Sequence, residues 1–329
     1  MRTPLDNTVA ATPPSAFGAT KQRTATVRRR WTKERATPYL LILPATLLIL
    51  LVQIGPMIAG IVISLFKLTR LYIANWANAP FAGLDNYRVA LDFSTPIGQK
   101  LVQSFLTTLL YTIIVVGVCW LIGTSAAIVL QRSFRGQNML RTFFLLPYAL
   151  PAYASIITWS FMLQRDNGVV NNVLVNGLHL FNDPPFWLLG NNSFVSMAVI
   201  AIWHRWPFAF LMILAGMQSI PEDVYQASAI DGASVWQQIR YITLGMLRPV
   251  NFVLLLMMFL WSFNDFNTPF VLFGPTAPPQ SNLLSIHIYD NSFLNWNFGL
   301  GSAMSVLLLI FLALVSGALL LWNRRSQRA

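Results

Sequence analysis

The sequence has few charged residues, and this scarcity separates it from soluble proteins. Only 10% of its 329 residues are Asp, Glu, Lys or Arg, and 55% are hydrophobic. Soluble domains carry about 25% charged residues. The apolar residues form blocks long enough to cross a bilayer, which takes about 20 residues per helix. We therefore predict an integral membrane protein.

Residues and motifs that support metal binding, disulfides or nucleotide hydrolysis are also scarce. Cys119 is the only cysteine, so an intrachain disulfide is excluded. No CxxC or HExxH pattern indicates a metal site, and no GxxxxGK[ST] phosphate loop is present. We expect no cofactor and no catalytic constellation in this chain.

Basic residues are grouped rather than dispersed. The formal net charge is +11, and Arg28, Arg29 and Arg30 lie shortly before the first apolar block. Basic flanks of this kind are typical of the cytoplasmic side of a membrane helix. No basic folded region remains outside the apolar blocks, so nucleic acid is not an expected partner. Residues 1–38 lack apolar periodicity, and we predict a disordered basic cytoplasmic tail.

Six apolar blocks predict the fold class, which is all-α with about six transmembrane helices. Helix is expected because backbone polar groups in lipid must be paired within the segment. Each block is long enough to span with some tilt. The predicted spans cover approximately residues 39–65, 101–130, 141–163, 194–218, 249–272 and 299–322.

The positions of Lys and Arg predict the orientation in the membrane. Most of the 22 Lys and Arg residues lie in the segments 1–38, 131–140, 219–248 and 323–329. Cytoplasmic segments carry such an excess. We therefore predict a multi-pass protein of the cell (inner or plasma) membrane with both termini cytoplasmic, the last seven positions, 323–329, forming a second tail.

The connection after the fourth predicted span is unlike a plain linker, which would be short and rich in turns. In residues 220–245, Pro221 suits a helix start, and Gly232 suits the left-handed position after a helix end. Ser234 and Gln237 have the spacing of a capping box. We predict two short cytoplasmic helices.

The apolar residues of the second short helix leave two interpretations open. Val235, Trp236, Ile239 and Ile242 recur at helical spacing. They could pack the loop against the spans or enter the groove of a partner protein. The alternative is an interfacial amphipathic helix pair with no partner.

The same loop resembles the EAA loop of binding-protein-dependent ABC importer permeases. The family pattern is an acidic residue, two alanines, a spacer and Asp-Gly-Ala, with an Ile-Thr-Leu ending. The matching positions are Ala227, Asp231, Gly232, Ala233, Ile242, Thr243 and Leu244. The sequence departs from the pattern at Gln226, Ser228 and Gly245, where the family usually has Glu, Ala and often Pro.

The resemblance implies a role for the loop and a set of partners. In the family the loop docks in a groove of the ATPase subunit, and closure of the ATPase pair rocks the spans in alternating access. A homologous second permease, two ATP-binding subunits that hold ATP and Mg, and an extracytoplasmic solute-binding protein are implied. The implied ATPase-coupling residues are Tyr225, Gln226, Ala227, Ser228, Asp231, Gly232 and Ala233.

Three further stretches resemble the sugar branch of that family, the permeases for maltose, trehalose and glycerol phosphate. They are residues 43–45 with 55–56, residues 141–148 and residues 261–272. The resemblance implies transport of a sugar, with a di- or oligosaccharide as the first expectation. A glycerol-phosphate-type or other polyol ligand is the alternative.

Polar residues near membrane depth indicate a substrate pathway. Asn264, Asp265 and Asn267 lie in the second half of the fifth block, where burying a charge is costly. Such residues either contact a sugar through hydrogen bonds or pair structurally with another span. Arg205, inside the fourth block, could pair with Asp265, line the cavity or bind an anionic group. Aromatic residues available to stack on a sugar ring are Trp261, Phe263 and Phe266.

Two other functional classes compete with the importer. A polytopic membrane enzyme would use His204, Arg205 and Asp265 as a buried reactive set. A proton-coupled carrier would work without an ATPase and would show an internal repeat, which this sequence lacks. His204 by itself reads as a packing residue. Because His204 and Arg205 point about 100° apart on a helix, we do not expect them to form one site.

Overall fold

The structure is a computed structural model that describes residues 31–131 and 134–326. Within these ranges the elements are helical, and the only strand-like pairs are two isolated bridges, Phe66 with Phe81 and Thr69 with Asn297. The predicted all-α class is confirmed. Residues 1–30 and 327–329, which hold most of the predicted tails, lie outside the described residues.

The chain divides into two compact units, one ending at Pro56 and the other beginning at Met57. In the first unit, helix α1 covers Trp31–Ile49. Residues 31–36 are therefore helical, whereas their lack of apolar periodicity predicts a disordered tail. Lys, Glu, Arg and Ala in this stretch have high helix propensity, so the helix extends beyond the apolar block.

A π-helical turn, Leu50–Ile54, follows α1. The Gly55 N–H donates to the Leu50 carbonyl, and Pro56 has no N–H to offer the carbonyl four residues earlier. Wider turns of this kind occur mostly as single π-bulges inside α-helices. Helix α2, Gly55–Ile63, completes the first apolar stretch.

The remaining elements alternate long helices with short ones. The first half contains a 3₁₀ helix Arg70–Asn78, α3 Asp85–Leu91, α4 Pro96–Gln131, α5 Gln137–Ala149, α6 Ala152–Met162, α7 Val169–Asn171 with a π turn Asn172–Gly177, and α8 Gly190–Gln218. The second half contains α9 Glu222–Ile230, α10 Val235–Gln237, a π segment Gln238–Thr243, α11 Leu244–Met246, α12 Arg248–Phe263, α13 Asn267–Phe273, a 3₁₀ turn Pro279–Ser281, α14 Leu284–Tyr289, a π turn Asp290–Leu294, and α15 Phe298–Ser326.

Five helical stretches of the described chain are long and apolar enough to cross a membrane, and the bent pair α5–α6 makes a sixth if it counts as one span. This agrees with the prediction of about six. The five stretches are Thr37–Ile63, Pro96–Gln131, Gly190–Gln218, Arg248–Phe273 and Phe298–Arg325. The last of them extends into the segment that the sequence analysis treated as a tail.

The third apolar block, predicted as one span over residues 141–163, is sharply bent in the structure. Helices α5 and α6 meet at an angle of 89°. Leu150 and Pro151 between them have extended backbone conformations. Proline disfavours helical geometry in the residue before it, so Pro151 ends α5 after Ala149. Pro147, by contrast, lies inside α5.

The main core of the second unit forms where α4 packs along α8. Tyr111 and Phe210 are fully buried in it. Gly123 on α4 allows the close approach, because a Cβ there would lie 2.7 Å from the Phe210 backbone nitrogen on α8. Small residues at such crossings are typical of membrane helix packing.

A second, smaller core lies between α4, α12, α14 and α15. Phe263 is fully buried there, and its ring lies 5.1 Å from that of Phe311 and 5.7 Å from that of Phe105. Leu284 and Met304 complete the contact. These interactions hold the end of α12 in place next to the cavity described below.

Candidate substrate cavity and coupling loop

A cavity of about 270 Å³ lies between the bent pair α5–α6 and helices α8, α12 and α13. The bend in the third apolar block and the break between α12 and α13 both open onto it. Its lining residues are Tyr148, Ala152, Ser155, Ile156, Ile200, Ala201, His204, Arg205, Phe208, Met258, Trp261, Asp265, Asn267 and Thr268.

The structure brings together four of the five residues predicted for the substrate pathway. Arg205, Trp261, Asp265 and Asn267 line the cavity. Asn264 instead ends α12 as an exposed residue. His204 lines the same cavity as Arg205, although their adjacent positions on α8 predicted separate sites.

Arg205 and Asp265 form a buried ion pair. The distance from Arg205 Nη2 to Asp265 Oδ2 is 2.6 Å, and the two side chains are 18% and 3% exposed. Arg205 Nη1 also donates to Ser262 Oγ at 3.2 Å. Charge-assisted hydrogen bonds of this length are strong, and burial removes competition from water. Of the roles that the sequence left open for Arg205, the structure shows pairing and cavity lining.

The Asp265 carboxylate has further donors around it. Tyr111 donates its hydroxyl to Oδ2 at 2.7 Å, and Thr268 donates its hydroxyl to Oδ2 at 2.7 Å and its backbone N–H to Oδ1 at 3.1 Å. The last bond satisfies an N–H in the first turn of α13, where a carboxylate is favourable. With four donors in place, the carboxylate has a structural role at the helix break.

Aromatic rings form one wall of the cavity. The rings of Phe208 and Trp261 are 4.9 Å apart, and the ring of Tyr148 lies 5.8 Å from that of Phe208. Phe263 and Phe266 do not join this wall. Phe263 lies in the second core, and Phe266 stacks on Phe270 on the opposite side of the break.

Sequence reasoning missed three residues that hold the ion pair. Thr268 stands three residues after Asp265, a spacing that could have indicated a helix cap. Ser262 is the second-to-last residue of α12, immediately before the break. Tyr111 is 154 residues from Asp265, and no local pattern in one sequence connects them.

The loop predicted to couple to an ATPase folds as two helical segments. Helix α9 begins after Pro221, which occupies the N-cap rather than the first helical position. Gly232 has φ 81°. Its N–H donates to the Ala229 carbonyl, and the Ala233 N–H donates to that of Ser228. This is a Schellman motif, which requires a left-handed residue, as the sequence predicted.

The second segment has the predicted capping box. Ser234 donates its N–H to Gln237 Oε1 at 2.7 Å, and the Gln237 N–H donates to Ser234 Oγ at 3.4 Å. A hydrogen bond of 3.0 Å between the hydroxyls of Tyr225 and Thr243 fastens the two segments together. The loop is therefore a defined structure within this chain.

The outer face of this loop is exposed. Among the predicted coupling residues, Gln226, Ala227, Asp231 and Gly232 are exposed, Ser228 and Ala233 are partly exposed, and Tyr225 packs inward. The apolar residues divide in the same way. Ile242 packs against the main core, whereas Val235 and Trp236 are 57% and 68% exposed. The loop thus presents small and apolar side chains outward, together with the polar side chains of Gln226 and Asp231.

Comparisons of the sequence with a family profile and with individual proteins indicate the same family. A family profile described as "Binding-protein-dependent transport system inner membrane component" matches residues 120–328. The chain is 30% identical over 279 residues to the inner membrane ABC transporter permease protein YcjO of Escherichia coli, covering 84% of this chain and 90% of YcjO. It is 31% identical over 301 residues to the trehalose transport system permease SugA of Mycobacterium tuberculosis, covering 90% and 92%.

The fold also matches a solved transporter. A chain of a bacterial ABC transporter that imports the acidic polysaccharide alginate superposes with a TM-score of 0.74, at 21% identity, over 91% of this chain and 99% of that one. The expectation of a transport subunit rather than an enzyme is confirmed by the family. The chain therefore belongs to the inner membrane components of binding-protein-dependent transport systems, as a multi-pass permease subunit.

Proposed function

We propose that this chain is one of two permease subunits of an ATP-driven importer for an uncharged di- or oligosaccharide. The observation that carries the proposal is the character of the cavity. Arg205, which is the single Lys or Arg among the lining residues, is paired with Asp265, and an aromatic wall lies beside it. Neutral polar groups and aromatic faces suit a sugar ring, which offers hydroxyls at its rim and an apolar face.

Named relatives support the same substrate class. SugA is a trehalose permease, and a trehalose/maltose permease MalF of Thermococcus litoralis is 30% identical over 278 residues, covering 84% of this chain and 89% of MalF. These substrates are neutral disaccharides. Because these sugars are uncharged and the Arg205–Asp265 pair leaves the cavity without net charge, they support a similar ligand for this chain.

A phosphorylated polyol fits the cavity less well. Such a ligand needs a free cation, and Arg205 already directs both terminal nitrogens to Ser262 and Asp265. The membrane-enzyme alternative meets a similar difficulty. A reactive carboxylate must be accessible to its substrate, whereas the Asp265 side chain is 3% exposed and accepts four hydrogen bonds from protein groups.

The size of the cavity supports a second permease. Ligand pockets usually measure about 300–1,000 Å³, and this one measures about 270 Å³. A homologous partner facing the same opening would enlarge it to the size of an oligosaccharide. An extracytoplasmic solute-binding protein would deliver the sugar to this shared cavity.

ATP hydrolysis is assigned to two partner subunits, which would hold ATP and Mg. The exposed surface of α9 and Gly232 would fit a groove of the ATPase, so that closure of the ATPase pair moves the loop. Tyr225 and Thr243 would transmit the motion, since their hydrogen bond joins both halves of the loop. The distribution of Lys and Arg supports cytoplasmic termini and a cytoplasmic loop.

Uptake into proteoliposomes tests the assignment of the substrate. The purified complex with its binding protein is expected to accumulate radiolabelled trehalose or maltose when ATP is supplied to the ATPase side. Trp261→Ala should raise KM because it removes part of the aromatic wall. Trp322→Ala is the matched control, since Trp322 lies near the end of α15, far along the chain from the cavity residues, and is 69% exposed.

Two results would count against the proposal. Transport of glycerol phosphate with no uptake of either disaccharide would favour the charged ligand. Equal KM values for Trp261→Ala and Trp322→Ala would show that this cavity wall does not contribute to sugar recognition.

A further inference from the structure

The break between α5 and α6 leaves a backbone carbonyl without its usual partner. Pro147 is among the last four residues of α5, whose carbonyls have no N–H donor within a helix. The residue four positions later is Pro151, which has no N–H. A buried carbonyl without a donor is costly, so this one needs a partner from elsewhere in the fold.

His204 on α8 supplies that partner. Its Nδ1 lies 3.0 Å from the Pro147 carbonyl oxygen. Its ring also lies 6.2 Å from that of Tyr148, the residue after Pro147. One side chain of α8 thus contacts both the backbone and an aromatic ring in the last turn of α5, immediately before the bend.

This contact determines which ring nitrogen carries the proton. A carbonyl oxygen only accepts, so Nδ1 must carry the hydrogen that it donates. In the neutral ring, Nε2 is then an acceptor with a free lone pair. Among the described residues Nε2 has no hydrogen-bond partner, and His204 lines the cavity.

Several acceptors on this wall already have donors. Asp265 Oδ2 accepts three hydrogen bonds, and the Asn267 side-chain oxygen accepts from the Tyr153 hydroxyl at 2.8 Å. Arg205 and Trp261 offer only donors. A sugar hydroxyl donates as well as accepts, so an acceptor with no donor of its own, such as His204 Nε2, is available to a ligand here.

We propose that His204 is a positioning residue that holds the bend between α5 and α6 through Nδ1–H, and that the same bond presents Nε2 as an acceptor for a substrate hydroxyl. The second part rests on the proposed function of the cavity. The first part concerns the fold alone, and it can be tested without any substrate.

Asn and Leu at position 204 form a matched pair. Both branch at the same carbon, and the Asn amide can donate from near the position of Nδ1, whereas Leu cannot. Neither has a group at the position of Nε2. His204→Asn should therefore keep the bend and lose the acceptor, and His204→Leu should lose both.

The bend is measured by the distance between two spin labels in lipid nanodiscs. Labels at Met139 on α5 and Phe161 on α6 are suitable because these residues are 66% and 61% exposed, with Cys119→Ser as the background. His204→Asn should keep the wild-type distance distribution, and His204→Leu should shift or broaden it. Identical distributions in all three proteins would overturn the positioning role.

Uptake by the full transporter tests the acceptor. His204→Asn should raise KM for radiolabelled trehalose about 10-fold with Vmax unchanged, as for loss of one hydrogen bond. An unchanged KM would overturn the acceptor role. If the wild-type transporter does not take up trehalose, the substrate assignment fails, and the label distances still decide whether His204 holds the bend.

Discussion

Arg205 on α8 and Asp265 at the break between α12 and α13 are joined at 2.6 Å in the interior of the second unit. The pair connects two membrane helices at the wall of the cavity. It also removes the net charge that either residue alone would place there. One contact therefore supports the helix packing and sets the electrostatic character of the cavity.

The first prediction concerns Asp265→Ala. The substitution leaves Arg205 buried without its partner, and breaking a buried pair in this way costs about 3–5 kcal/mol. We expect a lower melting temperature in detergent and less folded protein. Asn264→Ala, at an exposed neighbour, should match wild type.

The double variant Arg205→Met/Asp265→Leu provides the control for charge. It removes both partners, so no unpaired charge remains, and it should recover most of the stability lost in Asp265→Ala. A normal melting temperature for Asp265→Ala would show that the pair does not stabilise the helix packing.

The second prediction uses two glycines of α4. A Cβ at Gly123 would lie 2.7 Å from both the Ala209 Cβ and the Phe210 backbone nitrogen, and at Gly117 there is nothing within 4 Å among the described residues. Gly123→Ala should force α4 and α8 apart and lower the melting temperature. Gly117→Ala should be neutral or stabilising by up to about 1 kcal/mol, because alanine favours helix. Equal effects would contradict the observed crossing of α4 and α8.

The third prediction concerns pH and the segment between α13 and α15. Burial raises the pKa of Asp290 from 3.8 to about 6, against the opposing effect of Lys100. Burial and the charge of Lys100 lower the pKa of His287 from 6.5 to about 4. The Asp290 effect makes the fold less stable as pH rises from about 4 to 6. The His287 effect makes it more stable over nearly the same window.

These two effects oppose each other in the wild-type protein. In Asp290→Asn only the His287 effect remains. The melting temperature of this variant minus that of the wild type should therefore fall as pH is lowered from 7 to 4. His287→Gln should show the opposite trend. Melting curves at several pH values check this, and parallel pH profiles for both variants would contradict the account.

The features that the sequence predicted best are those that depend only on residues close together in the chain. The capping box of Ser234 and Gln237 and the left-handed Gly232 are local features, and residue type alone specifies them. The length and composition of the apolar blocks predicted about six spans for a similar reason, since the bilayer sets the length of each helix.

Features that depend on distant contacts could not be predicted in this way. Tyr111 reaches Asp265 from 154 residues away, and His204 meets the Pro147 carbonyl only because α5 ends there. Pro147 and Pro151 both predict a kink in the third apolar block, but the sequence does not indicate that the 89° bend lies next to Pro151 while Pro147 stays inside α5. Choosing between sugar contact and structural pairing for Asp265 needed the three-dimensional arrangement of its donors.

The fourth prediction compares two substitutions at Gly232. This residue has φ 81° and an exposed surface, so asparagine, which tolerates left-handed geometry, should preserve the loop. Tryptophan would add bulk on the surface expected to face the ATPase. We expect membrane insertion of both variants and loss of transport in Gly232→Trp alone. Normal transport by Gly232→Trp would argue strongly against a docking role.

The most direct test of the central claim is a mild-detergent pull-down of the tagged chain from its native membrane, with identification of co-purified proteins by mass spectrometry. The wild-type chain and Gly232→Asn should recover an ATP-binding subunit and a second, similar permease. Gly232→Trp should retain the second permease and lose the ATP-binding subunit. Recovery of the chain alone, in several detergents that preserve other complexes, or an ATP-binding subunit retained by Gly232→Trp, would contradict coupling through this loop.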